Sequence, residues 1–287
     1  MSGPPPATAV TRVAVRRALA GIDTATAAVS GGADSLALAA ALAFEKPGSS
    51  AVVVDHGLQP GSDEVAAKAA AQCAGLGLDA RVLTGRATPG EAGARELRYS
   101  LLDQVEGVVL LGHTRDDQAE TVLLGILRGS GARALSGMAP VRGRYRRPFL
   151  DLDRATVRQA CLEAGLEPWE DPHNDDPGFD RVRFRQLLDR LPAEGLARTA
   201  RLLREDADAL DALASPTDDV PALLALPAAL RSRSIKLWAE LQCGRAVTSA
   251  HVDALRALVE EWHGQGPVAL PGGGRVARQD GRLAFTP

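Results

Sequence analysis

A short loop of serines, glycines and one aspartate carries the sharpest chemical signal in the sequence. It lies between an apolar β-prone run that ends at Val29 and an apolar stretch of helical length, and its members are Ser30, Gly31, Gly32, Ala33, Asp34 and Ser35. Two glycines let the backbone approach a ligand closely, and successive N–H groups then point into one concavity. The serine hydroxyls and the positive end of the following helix dipole add to this, so the loop predicts a phosphate-binding site.

Asp34 is the unusual member of this loop, since a carboxylate repels phosphate unless a cation lies between them. We therefore expect Asp34 to bind magnesium (Mg²⁺), which takes carboxylate and phosphate oxygens together. The loop is not a Walker A motif, because the lysine of GK[ST] is missing. The alternative interpretation is a plain strand-to-helix turn in which Asp34 is the N-cap.

A second polar cluster follows another apolar β-run and consists of His113, Asp116 and Asp117. If a helix begins near Thr114, Asp117 lies in its first turn, beside the ends of the strands. Histidine and carboxylates together bind many cations, so a metal site is one interpretation. The other is that the two aspartates merely stabilise a helix N-terminus. Glu120, three residues after Asp117, either orients these groups or is solvated.

Two further pairs of residues have a place in such a site. Arg95 and Arg98 are three residues apart and share one helix face, where an arginine can stabilise charge that builds on a phosphate. The alternative is a pair of surface arginines. Asp55 and His56 end the second β-run, where backbone groups can hold an adenine. His56 is either a structural histidine, which we favour, or a general base.

These residues need elements that position them, and the first 130 residues alternate between two periodicities. Short β-prone runs cover residues 24–30, 50–56, 80–84 and 108–113, and stretches of helical length cover residues 35–44, 63–74, 91–103 and 115–128. The alternation predicts βαβ units and a mostly parallel α/β sheet. Ligand sites in such sheets lie at the carboxyl ends of the strands, where Ser30, His56 and His113 stand.

The alternation of β-prone and helical stretches ends near Gly129. Residues 151–164 predict one more amphipathic helix, WEDPHNDDPGF predicts a loop, and Ala/Leu/Arg-rich helices follow residue 192. Alternation around Gln279, Asp280 and Gly281 predicts a small β-hairpin near the end of the chain. We therefore predict two domains, residues 1–192 and a small, mainly helical domain of residues 193–287.

The charge of the chain is informative only when it is divided by segment. A net charge of −3 offers no global attraction for nucleic acid, and an aromatic fraction of 3% argues against a broad stacking surface. Two local arginine clusters, with Tyr145 and Phe184 among them, nevertheless suit an RNA backbone and an unstacked base, while a solvated surface is the alternative. The arginines that we expect to contact RNA are Arg144, Arg146, Arg147, Arg181, Arg183 and Arg185.

Cysteine usage and the absence of targeting segments indicate a compartment. Cys73, Cys161 and Cys243 are widely spaced, odd in number and without a CxxC pair, which argues against disulfides and against a cysteine-held zinc or iron–sulfur site. The N-terminus has no secretory signal pattern, and no apolar run is long enough to span a bilayer. We expect a cytoplasmic protein with no membrane partner.

Several stretches of the sequence resemble known motifs. SGGADS resembles the SGGxDS loop of the PP-loop ATP pyrophosphatases, which cleave ATP between its α and β phosphates and adenylate a substrate. VVVDHGLQPGSDEVA, EAGARELRY, LGHTRDDQAETVLLGILRGSGARALSGM, RRPFL and DPHNDDPGFDRVRFR resemble, in order and spacing, the motifs of the tRNA(Ile)-lysidine synthetase family. Together they cover most of residues 24–192, so the resemblance is specific.

The resemblance implies a fold and a reaction. The fold is α/β, with a Rossmann-like, mostly parallel sheet of the adenine nucleotide alpha hydrolase kind and a small helical C-terminal domain that contacts tRNA. The partners are a tRNA(Ile) with a CAU anticodon and free L-lysine, with ATP as co-substrate and Mg²⁺. The C2 oxygen of the wobble cytidine attacks the α-phosphate, and diphosphate leaves. The ε-amine of lysine then attacks C2, AMP departs, and the lysidine-bearing tRNA reads AUA and accepts isoleucine.

The resemblance also implies residue roles. It gives catalytic roles to Asp34, Arg95, His113 and Asp117, and it makes Asp117 our first candidate for binding the lysine. The phosphate loop holds the pyrophosphate end of ATP in this family, and we expect Asp55 and His56 to complete the ATP site.

Some positions depart from the family pattern, and some alternatives stay open. Val182 stands where the family usually has Asn, and His173 where Ser is common, which affects tRNA contacts rather than ATP chemistry. The chain ends soon after the predicted hairpin, so we expect a short form without the last C-terminal domain. A tRNA cytidine thiolase is the alternative enzyme, and an inactive nucleotide- or RNA-binding protein is the alternative of another class. The sequence leaves the oligomeric state open, a homodimer being one of the states it allows.

Overall fold

The computed structural model describes residues 3–57, 61–88, 90–170 and 192–287, and it divides the chain into two compact units, Met1–Leu203 and Arg204–Pro287. The helices of the first unit are α1 (Pro6–Ala18), α2 (Ala33–Glu45), α3 (Ser62–Gly75), α4 (Glu91–Leu102), α5 (Arg115–Leu127), α6 (Ala132–Leu135) and α7 (Arg154–Glu163). Its strands are β1 (Thr26–Val29), β2 (Ser50–Asp55), β3 (Asp79–Thr84), β4 (Val109–Leu111), β5 (Val141–Arg142) and β6 (Tyr145–Arg146).

The six strands form one sheet in the order β3-β2-β1-β4-β6-β5. Strands β3, β2, β1, β4 and β6 pair in parallel, and only β5 pairs in the antiparallel sense. The chain runs outward from β1 to β3 and then returns to the other side of β1 to form β4. A crevice therefore opens at the carboxyl ends of β1 and β4, which is where open α/β sheets bind ligands. The predicted mostly parallel, Rossmann-like sheet is confirmed.

Apolar side chains cover both faces of the sheet, so the first unit has three layers. On one face, α2 is buried on nearly all sides between the strands and helices α1 and α7, with Leu36, Leu38 and Leu42 fully buried. On the other face, a smaller cluster joins Leu102 at the end of α4 to strand residues such as Val109. Burial on both faces explains why the inner strands β1, β2 and β4 are nearly continuous apolar runs rather than alternating ones.

The elements that we predicted in the first 130 residues are present, with ends shifted by a few residues, and α5 begins at Arg115 as expected. Four elements were missed. Helix α1 follows a run of prolines, the single-turn helix α6 lies in a glycine-rich segment, and β5 and β6 have two residues each, too few to show a periodicity.

The second unit is mainly helical, as predicted, and has its own core. Helix α8 (Ala193–Leu213) is shared between the units, and the others are α9 (Val220–Ala225), α10 (Ala228–Cys243) and α11 (Ser249–Glu260). A sheet of β7 (Val268–Ala269), β8 (Arg275–Gln279) and β9 (Arg282–Thr286) packs with them around residues such as Ile235 and Leu255.

The predicted hairpin near the end of the chain is confirmed. Gln279 pairs with Arg282, and Asp280 and Gly281 between them both have positive φ, the conformation of a two-residue type I′ turn. The boundary that we predicted after residue 192 falls at the start of α8, whereas the two compact units divide inside this helix. None of the helices in the described ranges is long and apolar enough to cross a membrane.

Candidate active site at the carboxyl ends of β1 and β4

The predicted phosphate loop connects β1 to α2, and its own hydrogen bonds fix its shape. The buried hydroxyl of Ser35 accepts a hydrogen bond from the Ser30 N–H (3.1 Å) and donates one to the Gly32 carbonyl (2.9 Å). Gly32 is the N-cap of α2, and a glycine brings no side chain to cap the first N–H groups of the helix. These groups and the helix dipole suit an external anion. The Ser35 hydroxyl therefore shapes the loop from within.

Gly31 allows the loop to turn and to pack. Its φ of +87° lies in the left-handed region, which other residues rarely adopt. A Cβ built on Gly31 would lie 3.6 Å from both Val65 and Ala69 of α3, and the Gly31 carbonyl accepts a hydrogen bond from the Trp169 N–H (3.0 Å). The loop is thus held between α3 and the segment that follows α7.

Gly112, which follows β4, supports the same loop from the other side of the crevice. A Cβ on Gly112 would lie 3.0 Å from the carbonyl oxygen of Asp34 and 3.3 Å from the Cα of Ser35. We did not single out this glycine in the sequence. Its signal there is its position, directly after an apolar strand and before a candidate site histidine.

Asp117 caps the helix in which it lies. Thr114, which is fully buried, is the N-cap of α5, and its N–H donates to Asp117 Oδ2 (2.7 Å). The Asp117 N–H donates to Thr114 Oγ1 (3.4 Å), which completes a capping box. The neighbouring Asp116 accepts a hydrogen bond from the Arg154 N–H at the start of α7 (2.8 Å). Both aspartates therefore stabilise helix starts, and Asp117 Oδ1 faces away from the capping box.

Arg154 reaches the site from α7, and sequence reasoning missed it. Its Nη2 donates to Asp117 Oδ1 (2.7 Å) and to Glu120 Oε1 (3.3 Å), and its Nε lies 3.9 Å from Asp34 Oδ2. One guanidinium thus contacts three carboxylates, and it joins the phosphate loop to the first turns of α5. We described this part of the sequence only as an amphipathic helix.

The charges of this cluster hold its groups ionised. Burial alone would raise the pKa of Asp117, but the charge of Arg154 and the Thr114 N–H lower it below the usual range. Burial alone would lower the pKa of Arg154, but Asp117, Glu120 and Asp34 raise it above its ordinary value. The pair is therefore a carboxylate and a guanidinium at neutral pH.

His113 is neutral in this environment. Burial, together with the charges of Arg147, Arg98 and Arg95, lowers its pKa to about 4 against the opposing charge of Asp117. Within the described part of the chain, its buried Nδ1 has no hydrogen-bond partner. A neutral imidazole can accept a proton, whereas an imidazolium cannot. The pKa of His113 is therefore affected by the charges of three other residues that we singled out in the sequence, Arg95, Arg98 and Asp117.

Arg95 belongs to a small aromatic cluster beside His113. Its guanidinium lies 5.1 Å from the ring centre of Tyr99, which meets Tyr145 edge to face at 5.2 Å. The hydroxyl of Tyr145 donates to Asp103, and this contact, with burial, raises the pKa of Tyr145 to about 12. A planar cation on an aromatic ring presents its free edge in a fixed direction.

Asp55 and His56 lie where the sequence placed them, at the end of β2. The side chain of Asp55 bonds to the local backbone, whereas the buried Nδ1 of His56 has no hydrogen-bond partner among the described residues. Asp55 is buried, and its Oδ1 accepts a hydrogen bond from the Gly57 N–H (3.0 Å). The His56 carbonyl accepts one from the Ala87 N–H (3.3 Å). Burial and Arg98 lower the pKa of His56, which suits a neutral, structural histidine.

Comparison with known proteins agrees with this geometry. A family model described as a PP-loop domain matches residues 12–191, and one described as the TilS substrate binding domain matches residues 219–284. The chain is 51% identical to the tRNA(Ile)-lysidine synthase of Leifsonia xyli subsp. xyli (strain CTCB07), over 90% of this chain and 88% of the relative. It is 49% identical to the tRNA(Ile)-lysidine synthase of Thermobifida fusca (strain YX), over 99% of this chain and 98% of the relative.

The chain belongs to the tRNA(Ile)-lysidine synthase family. The resemblance that we drew from the motifs is confirmed. The phosphate loop, the acidic start of α5 and Arg154 all lie in the match to the PP-loop domain of this family, and the match to its substrate binding domain lies in the second unit.

A solved structure supports the fold alone. The U34-tRNA thiolase NcsA from Methanococcus maripaludis, with its [4Fe-4S] cluster, superposes with a TM-score of 0.57 at 19% identity, over 69% of this chain and 80% of that chain. This likeness extends the PP-loop fold beyond the lysidine synthase family, and it carries no argument about the reaction of this chain.

The first of the two predicted arginine clusters, the strip at residues 144–147, is only partly on the surface. Arg144 and Arg146, in and beside strand β6, are half-buried, whereas Arg147 is buried and donates to the Ala139 carbonyl (2.8 Å). We expected an exposed phosphate contact at Arg147, and the structure places it instead beneath the strip, on the side of Tyr99 and His113. Arg181, Arg183 and Arg185 lie outside the described residues. All six tRNA contacts remain predictions.

Gln118 is another residue that sequence reasoning missed. Its buried side-chain amide accepts a hydrogen bond from the Met138 N–H (2.7 Å) and donates one to the Met138 carbonyl (3.0 Å). Gly137 makes room for this pair, since a Cβ there would lie 2.5 Å from Gln118 Oε1. The DDQAET and LSGM ends of one family motif are thus joined by hydrogen bonds. These bonds attach the end of the glycine-rich segment to α5.

Proposed function

We propose that this chain is an active tRNA(Ile)-lysidine synthetase, a ligase that joins lysine to C2 of the wobble cytidine of a CAU-anticodon tRNA(Ile). The observation that carries the proposal is the joint contact of Arg154 with the phosphate loop and with Asp117. It brings a phosphate-binding helix start and an ionised carboxylate for a cationic amine into one crevice. Family membership supports the reaction class, and this adjacency supports its chemistry. We further propose that it acts in the cytoplasm, on tRNA.

The ATP half of the site follows from the phosphate loop. ATP is the co-substrate of the PP-loop domain, and we propose that residues 30–35 hold its phosphates through backbone N–H groups. The side chain of Asp34 is 28% exposed and sits in the first turn of α2, which fits Mg²⁺, an ion commonly bound by one carboxylate together with substrate phosphates. The ion would neutralise charge on the departing diphosphate.

For the first step, adenylation, we propose that Arg95 stabilises charge on the α-phosphate while the cytidine O2–phosphorus bond forms and the bond to diphosphate breaks. The contact of the Arg95 guanidinium with the Tyr99 ring supports this role, because it holds the cation on the side of His113. Asp55 and His56 complete the ATP site through their backbone groups.

For the second step, we propose that the ε-ammonium of lysine binds at Asp117 Oδ1. The ammonium must lose a proton before its nitrogen attacks C2 of the adenylated cytidine, and neutral His113 is our candidate acceptor. The C2–oxygen bond to AMP then breaks. The nearness of His113 to Asp117 supports this assignment, together with its buried Nδ1, which has no hydrogen-bond partner among the described residues.

The cysteines argue against the alternative of a sulfur-transferring tRNA thiolase. Cys73 and Cys161 are free and buried, and burial raises the pKa of each thiol to about 11, so neither is a ready nucleophile. Throughout the described ranges, no three His, Cys, Asp or Glu side chains form a group that could hold a metal ion. The thiols of Cys73 and Cys161 therefore lack the reactivity that sulfur transfer requires.

One assay tests the proposed function. The full chain is mixed with ATP, Mg²⁺, radiolabelled lysine and a CAU-anticodon isoleucine tRNA transcript, and label in RNA is counted. We expect incorporation that depends on ATP and is absent with methionine tRNA. Asp34→Ala is the matched variant, and we expect it to lose diphosphate release while it stays folded. No label with the wild type would remove the proposal and leave a nucleotide-binding protein.

A further inference from the structure

Arg154 has a special place among the charged residues of the site. It is the first residue of α7, its guanidinium is about one-third exposed, and its single Nη2 bridges Asp117 and Glu120. Its nearest counterpart on the same helix, Arg158, makes instead an exposed ion pair with Glu170. Of the two, Arg154 contacts Asp117 and Glu120, whereas Arg158 interacts with Asp34 only through the longer-range effect of its charge.

The two carboxylates that it bridges require a cation between them. Asp117 and Glu120 are three residues apart on α5 and therefore share one face, where like charges repel. The Glu120 side chain is only 6% exposed, so solvent screens this repulsion weakly. A guanidinium that donates to both holds the carboxylates side by side and balances one of their charges.

The bridge also decides which oxygen of Asp117 faces the substrate. Oδ2 accepts both the N–H and the hydroxyl of Thr114, whereas Oδ1 accepts one hydrogen bond from Arg154. A carboxylate oxygen accepts from about two donors. Asp117 Oδ1 thus retains an acceptor position whose direction is set by the capping box on one side and Arg154 on the other.

We propose that Arg154 is a positioning residue for the amino-acid substrate, which acts by holding Asp117 and Glu120 as one preformed acceptor for the ε-ammonium of lysine. The inference rests on the proposed function and deepens it. A substrate that arrives as a monocation meets two carboxylates and one guanidinium with a combined charge of −1, and its own charge balances that of these three groups. The role requires a planar fork that reaches two carboxylates, which arginine has and lysine lacks.

An opposite role is also conceivable, in which Arg154 merely fills the acceptor until substrate displaces it. The two roles predict opposite signs. If Arg154 positions the carboxylates, its removal weakens lysine binding; if it competes, its removal strengthens lysine binding.

The experiment compares the full chain with R154Q, R154K and, as the matched control, R158Q, which removes the same charge from the same helix. The KM for lysine and the KM for ATP are measured separately with isoleucine tRNA. We expect R154Q to raise the KM for lysine at least tenfold and the KM for ATP much less. R154K restores the charge without the fork and should lie between R154Q and the wild type, and R158Q should match the wild type.

Three results would overturn the inference: an unchanged or lower KM for lysine in R154Q, equal rises in both KM values, or an R158Q effect as large as that of R154Q. If R154Q does not fold, the R154K variant provides the test. Its side-chain ammonium reaches only one carboxylate, so we expect R154K to raise the KM for the substrate lysine. A wild type that incorporates no lysine overturns the proposed function itself, and this outcome is distinct from one in which the wild type is active and R154Q behaves like it.

Discussion

Gly112 lies against the backbone of Asp34, so close that even a methyl group would press on the phosphate loop: a Cβ on Gly112 would be 3.0 Å from the Asp34 carbonyl oxygen and 3.2 Å from its carbonyl carbon. The contact joins the ends of β4 and β1 across the crevice. Because the neighbouring atoms are backbone atoms, they cannot give way as the end of a flexible side chain can. The closeness of the two strand ends therefore sets the position of the loop.

Gly112→Ala should displace the phosphate loop. We expect the KM for ATP to rise about tenfold, because a shift of a few tenths of an ångström misplaces N–H groups whose effect depends on direction. The free energy of unfolding should fall by about 1–3 kcal/mol, as for other overpacked positions. ATP-dependent diphosphate release and urea denaturation measure the two effects.

Gly75→Ala is the matched control, since Gly75 ends α3 and a Cβ there meets nothing within 4 Å. It should leave the KM for ATP unchanged. A Gly112→Ala protein with a wild-type KM would show that the loop does not depend on this contact.

Gln118→Met should loosen the glycine-rich segment that follows α5. The replacement keeps the length of the side chain but removes both hydrogen bonds to Met138, and it leaves a backbone N–H and a carbonyl without this partner. We expect the free energy of unfolding to fall by about 2–3 kcal/mol, measured by urea denaturation. Gln104→Met, at an exposed glutamine with one long hydrogen bond to Ser100 (3.4 Å), should change it by less than about 0.5 kcal/mol. Equal losses in the two variants would contradict the role of the Gln118 pair.

Thr114→Val should affect both the stability of α5 and the lysine site. It removes the hydroxyl that accepts from the Asp117 N–H and donates to Asp117 Oδ2. Loss of such an N-cap costs about 1 kcal/mol of stability, and a less constrained Asp117 should raise the KM for lysine several-fold.

The chain offers a matched control in the second unit. Thr248 caps α11 with the same capping-box geometry, through His251. Thr248→Val should cost similar stability and leave the KM for lysine unchanged. If both variants changed this KM alike, the effect would reflect general destabilisation.

Local pattern predicted most of the fold. The strands and helices of the first 130 residues are long enough to show their periodicity, and the hairpin at Asp280 and Gly281 has a specific turn sequence. The same local rules fail for β5 and β6, whose arginines we interpreted only as a charge cluster. There the strand assignment comes from the pairing of β6 with β4 and of β5 with β6, and pairing partners are not visible in a two-residue window.

The candidate site shows the same division. Asp34, His113 and Asp117 could be predicted because they directly follow strands or begin helices at the switch point of the sheet. Arg154 could not be predicted, because its ion pair with Asp117 joins residues that are 37 positions apart in the sequence. Gly112 was not predicted for a related reason. A side chain is excluded at this position by backbone atoms at the end of a different strand, and a local sequence pattern does not show that contact.

The neutral state of His113 predicts a pH dependence of stability. In the unfolded chain a histidine binds its proton near pH 6.5, whereas burial and the nearby arginines lower the pKa of folded His113 to about 4. Between these pH values the unfolded state holds more protons, so the free energy of unfolding falls as the pH is lowered. His113→Gln cannot titrate. We therefore expect the wild type to lose about 1–2 kcal/mol more than His113→Gln between pH 7 and pH 5, measured by urea denaturation at both pH values.

The matched control for this measurement is His263→Gln, at an exposed histidine of the second unit. It should lose as much stability as the wild type between the two pH values, because the difference arises from burial beside arginines and not from histidine content. A His113→Gln protein whose loss equals that of the wild type would show that His113 titrates normally. The imidazole would then be largely protonated at pH 5, and burial beside the arginines would not control its charge.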